Sequence, residues 1–164
     1  MEQLLRPEFF PGLLGIGAVL GLAGLGSAMG IGAAGSAAVG AWKKCYVQNK
    51  PAPFLLVAFI GAPLTQNIYA LIVMQTMMTK VKQFMDPANL ASFNPNYGAF
   101  ILGLGLFGGL AIGASAYYQG KIGAGASDAL AETGKGFGQY IMALGMAETV
   151  ALFVMVFLLL VLNA

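Results

Sequence analysis

Residues 141–162 read IMALGMAETVALFVMVFLLLVL, an apolar run whose only charge is Glu148. A bilayer-spanning helix needs about 20 apolar residues, so this run is long enough to cross a membrane. An acidic side chain at the centre of such a helix costs roughly 2.5–3.5 kcal/mol on insertion scales, and such residues face protein or water and serve ion movement. The chain has no His, and no other acidic residue lies deep in an apolar run. Glu148 therefore reads as a site for a proton or a small cation. A polar residue that only ties helices together is the blander reading, but that task usually falls to Ser, Thr, Asn or Gln.

Composition extends this reading to the whole chain. Of 164 residues, 59% are hydrophobic and only 9% are charged, with a mean hydropathy of +0.80. A soluble domain carries charge on about a quarter of its residues, so the expected fold class is an all-α membrane protein in the lipid bilayer. Four spans fit, at about Gly12–Ala41, Phe54–Met78, Tyr97–Ser127 and Gly138–Leu162. No substantial extramembrane domain can be built from the remainder. The net charge of +2 is too small to argue for nucleic acid. Cys45 is the only cysteine, so no disulfide can form within one chain. The start MEQLLRPEFF lacks the basic opening of a cleaved signal, and the first span is expected to be retained.

The spans repeat. Ala and Gly dominate the first and third, and large apolar residues dominate the second and fourth. Residues 24–35 also resemble 114–125, with Gly30 against Gly120 and Gly35 against Gly125. Two tandem duplicated hairpins are expected, 1–82 and 83–164, running parallel because each has two crossings. Gly17/Gly21, Gly26/Gly30 and Gly105/Gly109/Gly113 recur every four residues, a spacing that lets helix backbones approach closely. Small residues in both odd spans and bulk in both even spans suit inner and outer helix layers, as in a ring of many copies. Lys43, Lys44, Lys50, Lys121 and Lys135 lie in or near the two hairpin loops, against Arg6, Lys80 and Lys82 at the other end. Basic residues concentrate on cytoplasmic loops, which puts the hairpin loops inside and both termini outside.

Polar residues gather around the carboxylate. The second span carries Pro63, which removes a helical hydrogen bond and displaces the carbonyl of Phe59, beside Thr65 and Gln66. The third span supplies Gln119. A carboxylate, a hydroxyl and two amides are the hard oxygen ligands that alkali and alkaline-earth cations prefer. Aligned by their shared threonine, Pro63-Leu64-Thr65 meets Met146-Ala147-Glu148-Thr149, and Leu64 stands where the second hairpin has Glu148. The first hairpin therefore has no ion-binding carboxylate.

With these motifs the chain resembles, over essentially its whole length, the proteolipid rotor-ring subunits of V-type and related A-type rotary ATPases. The pieces that carry the resemblance are Pro63-x-Thr65-Gln66-x-x-Tyr69, Gln119-Gly120-Lys121 and Glu148-Thr149. The resemblance implies a non-catalytic subunit of an ATP-driven pump, in a ring of identical copies. Its other expected partners are a stator membrane subunit with a cationic residue and the central-stalk subunits. It implies sodium held by Glu148, Thr65, Gln66, Gln119 and the Ala62 carbonyl, with Tyr69 bonding the carboxylate. A proton is the alternative ion, and no organic cofactor is expected. The implied location is a bacterial or archaeal plasma membrane. The basic loop Trp42–Pro53 is longer than the family pattern. A small secondary cation/proton antiporter and a four-span structural protein are the alternatives.

Overall fold

A computed structural model describes residues 7–86, 88–89, 94 and 96–164; Glu2 and Arg6 lie outside them. Among these residues there is no strand. Four helices are long and apolar enough to cross a membrane. After a 3-10 turn at Pro7–Phe9, α1 runs Phe10–Val47; α2, Leu56–Gly61, continues through a 3-10 turn at Ala62–Leu64 into α3, Thr65–Met85. Helix α4 spans Asn96–Thr133 and α5 spans Phe137–Asn163.

The helices outrun the apolar spans. Hydropathy stops at the first charge, but backbone hydrogen bonding does not. Helix α1 includes Lys43 and Lys44, favourable charges near a helix C-terminus, so half of the expected loop Trp42–Pro53 is helical. The chain turns away from the helix at Asn49, two residues past its end, whose φ of 53° is left-handed. There Lys50 N–H bonds Cys45 O and Asn49 N–H bonds Tyr46 O, which closes a Schellman motif. Trp42 Nε1 donates to Pro53 O at 2.8 Å and folds the short remaining loop back on the helix. Helix α3 likewise passes the expected hairpin boundary at residue 82 and ends at Met85.

Helix α1 packs chiefly on α4, α2 and α3 pack on both, and α5 packs on α4 and α3. Along the central pair, Gly15 meets Ile101 and Leu102, Val19 meets Gly109, Gly26 meets Gly113, and Gly30 meets Ala116 and Gly120. Residue numbers rise together on the two helices, so α1 and α4 are parallel and the hairpin loops lie at one end. An ion pair between Lys44 and Glu132 joins that end. Bulk fills the space around both ends of the glycine seam. Val19, Val73, Met77 and Ile101 form one core with Phe9 and Leu162, and Leu56, Phe59, Leu130 and Leu144 form another.

Candidate ion-binding site

The site begins with the break at Pro63. Its missing N–H cannot bond Phe59 O, and the chain tightens into the 3-10 turn Ala62–Leu64. Thr65 Oγ1 donates to Ala62 O at 3.0 Å and lies 3.2 Å from Gln66 Oε1. One hydroxyl proton serves either acceptor in turn. The Phe59 carbonyl faces α4 at Gly123, where a Cβ would come within 2.9 Å of it.

Two fully buried amides carry the chain of bonds inward. Gln66 Nε2 donates to Gln119 Oε1 at 2.8 Å, joining α3 to α4. Gln119 Nε2 donates to Leu144 O at 3.0 Å and reaches Glu148 Oε2 at 3.4 Å. From the other side, Tyr69 O–H donates to Glu148 Oε1 at 2.7 Å. Gln66 and Gln119 are both 0% exposed, and Glu148, Tyr69 and Thr65 are half-buried. Burying an amide without a partner costs several kcal/mol. Here, among the described residues, every buried side-chain nitrogen and oxygen has a partner.

All six expected site residues thus converge. Ala62, Thr65, Gln66 and Tyr69 come from the broken second span, Gln119 from α4 and Glu148 from α5. Carboxylate, hydroxyl, amide and carbonyl groups are thereby linked by hydrogen bonds, and their oxygens are hard donors of the kind that oxygen-preferring cations take. No three His, Cys, Asp or Glu side chains converge among the described residues, so one formal negative charge dominates the site.

Residues 102–161 match the model of the ATP synthase subunit-C family. The second hairpin is similar to that family. The matched stretch takes in most of α4 and α5, including Gln119 and Glu148. No curated protein matches the chain. That similarity and the four long apolar helices support an integral, multi-pass membrane protein. Subunits of this family carry ions and are not themselves catalytic, and they form rings of identical copies.

Several polar groups near the site carry no signal in the sequence. Ser115 Oγ donates to Ala147 O at 2.6 Å and pins α5 beside Glu148. Ser27 Oγ donates to Asn67 Oδ1 at 3.0 Å, tying α1 to α3 one residue from Gln66. The Leu144 carbonyl holds the Gln119 amide in place. Backbone acceptors have no residue-type signature, and only a serine facing a helix seam hints at such bonds. Thr149, part of the motif, instead bonds Met146 O at 2.7 Å on an exposed face. Lys121 sits 5.6 Å over the Tyr117 ring, away from the carboxylate.

Proposed function

We propose that this chain is a rotor-ring proteolipid of a V-type or A-type rotary ATPase that carries sodium across the membrane on Glu148. The observation that supports this most is the chain of hydrogen-bonded polar groups from Ala62 through Thr65, Gln66 and Gln119 to the carboxylate. A carboxylate that sweeps past lipid must be neutralised, because an unpaired charge in an apolar medium is prohibitively costly. A proton achieves that with Glu148 and one partner, for which Tyr69 suffices. It makes no use of the oxygens of Thr65 and Gln66. Sodium engages all these oxygens together, with Glu148 balancing its charge.

In this reading identical copies form the ring, and ATP hydrolysed on other chains turns it through central-stalk subunits. Each Glu148 releases its ion beside a cationic residue, an Arg, on a stator membrane subunit. The hairpin loops face the cytoplasm of a bacterial or archaeal cell and both termini face outside. With Leu64 in the first hairpin, one carboxylate serves four helices, which lowers the ions moved per turn and favours pumping over synthesis. A secondary antiporter is less well supported, since such carriers are commonly built on inverted repeats and α1 and α4 run parallel.

Carbodiimide labelling of Glu148 in membranes tests the reading. Sodium should protect the carboxyl, and protect it more strongly as pH rises, because deprotonation precedes ion binding. Labelling that is indifferent to sodium across the millimolar range at fixed pH would make this a proton site.

A further inference from the structure

Helices α3 and α5 run in the same direction, each returning from the hairpin-loop end, yet their far halves differ in chemistry. A groove of about 400 Å³ follows α3 from Ile72 to Gln83, with Asn163 of α5 at its side. Between those ends it is lined by Gln75, Thr76, Thr79 and Lys80. Tyr69 faces α5 through its bond to Glu148, and Ile72, Thr76, Lys80 and Gln83 follow it at spacings of three and four, on one helical face. The groove therefore continues the face of α3 that carries the site, toward the chain termini.

Helix α5 shows how deep the groove lies. Asn163 is the first polar residue after the apolar run that ends at Leu162. Along that run Phe153, Phe157, Leu160 and Val161 stand exposed, a surface suited to lipid. Gln83 and Asn163 both line the groove, so Gln75, Thr76, Thr79 and Lys80 lie nearer the membrane centre than Asn163. At 1.5 Å per residue, Lys80 is about 4.5 Å and Gln75 about 12 Å inward of Gln83. The headgroup layer is about 5–7 Å thick on each side of the hydrocarbon. Lys80 thus stands at the base of that layer, and Gln75 at the edge of the hydrocarbon.

Polar groups at this depth need partners. The Thr76 and Thr79 hydroxyls turn back on the carbonyls of Ile72 and Gln75, at 3.0 and 2.9 Å. The half-buried Lys80 has no ion pair among the described residues, and the side-chain amides of Gln75 and Gln83 have no hydrogen-bond partner there. Asn163 Nδ2 donates to Leu159 O and keeps a second hydrogen. No acidic side chain lines the groove; Asp86, beyond its end, accepts from Ala88 N–H.

An unpaired cation among amide donors at headgroup depth is complementary to a phosphate. We propose that this groove seats the anionic headgroup of a phospholipid from the leaflet on the side of the chain termini. Its phosphate lies on Lys80 and Gln83, and its glycerol esters reach toward Gln75. This site goes beyond the sodium reading and needs only that the chain spans a bilayer. The rival is a hydrated path for cations along the same face. Lys80 opposes it, because an ammonium repels the ion that would pass, and Ile72 separates the polar stretch from Tyr69.

Quenching by brominated phospholipids tests the site on the full-length protein in vesicles. Trp42, the only tryptophan, stands at the hairpin-loop end and is replaced by Phe. Leu160, exposed one turn before Asn163, is replaced by Trp as the reporter. Brominated phosphatidylglycerol should be preferred to brominated phosphatidylcholine beside that reporter by about fivefold, the contribution of one basic residue near an anionic surface. Lys80→Gln should bring the two lipids to parity. Lys82→Gln should not, because Lys82 is exposed and does not line the groove. Parity before any change at Lys80, a preference that survives Lys80→Gln, or equal losses from both variants overturns the site, the last leaving only diffuse surface charge. With Cys45 replaced by Ser, Thr76→Cys gives a second readout. Vesicles of phosphatidylglycerol should slow its modification by an uncharged, water-soluble maleimide relative to vesicles of phosphatidylcholine. Equally rapid modification in both would mean a hydrated path in place of a seated lipid.

Discussion

The Tyr69 hydroxyl and the Glu148 carboxylate face each other across α3 and α5, 2.7 Å apart. Tyr69 sits between one and two turns beyond the Pro63 break, and the 3-10 turn sets the rotation that aims its ring at α5. A neutral donor at that distance holds the carboxylate in one rotamer and supplies no competing charge. Replacing Tyr69 with Phe keeps the ring and removes the bond. Hydrogen bonds to charged groups contribute about 1.5–3 kcal/mol, so Tyr69→Phe should weaken sodium protection of Glu148 by roughly 10- to 100-fold. Ring assembly should be unchanged. Sodium titration of carbodiimide labelling measures this, and an unaltered midpoint would mean the hydroxyl plays no part.

Glu148→Gln separates shape from charge. The amide can still accept from Tyr69, so helix packing around Ala147 and Leu144 should persist. It cannot cycle between a neutralised and a charged form, so ATP-driven ion uptake into vesicles should fall to background. Normal uptake by this variant rules out Glu148 as the carrier.

Much of this site is legible in residue types alone. Glu148 stands out as the lone charge of residues 141–162, and Gln66 and Gln119 stand out as amides within long apolar helices. The approach of Tyr69 to the carboxylate rests on family resemblance, since spacing within one helix says nothing about a second. The Leu144 and Ala147 carbonyls are invisible in sequence because every residue has one, and only the helix registers decide which are reached. For the same reason Gly26 and Gly17 look alike in sequence, each with a glycine four residues on. The structure puts Gly26 against the Gly113 backbone and leaves Gly17 open. Charge is a poor marker of a helix end, and α1 runs on through Lys43 and Lys44 where the apolar pattern stops.

The neutral ligands should be graded by burial. Gln119 is fully buried and links three groups, Gln66, Leu144 O and Glu148. Gln119→Ala strands the Gln66 amide as well as removing an oxygen. Thr65 is half-buried and its loss frees only Ala62 O and Gln66 Oε1. Both variants should weaken sodium affinity by about 1–3 kcal/mol, the usual cost of an unsatisfied buried polar group, with Gln119→Ala at the upper end. Isothermal titration of the purified protein with sodium gives the order directly, and a larger loss for Thr65→Ala would show that the hydroxyl dominates the site.

Glycine contacts make the sharpest stability prediction. A Cβ on Gly120 would collide with the backbone of Gly30, and neither helix can yield without opening the seam along α1 and α4. Gly138, near the start of α5, has nothing within 4 Å of an added Cβ. Overpacking a tight contact costs about 1–3 kcal/mol, and alanine is favoured over glycine in a helix by up to about 1 kcal/mol. Gly120→Ala should therefore destabilise the protein while Gly138→Ala leaves it unchanged or slightly more stable. Gly120 also neighbours Gln119, so the displacement of α4 should lengthen the Gln66–Gln119 bond and lower sodium protection in the same variant. Unfolding in a denaturing detergent, followed by circular dichroism, reads the first effect, and carbodiimide labelling reads the second. Equal stability of the two variants would mean that the α1–α4 seam is looser than the Gly30–Gly120 contact requires.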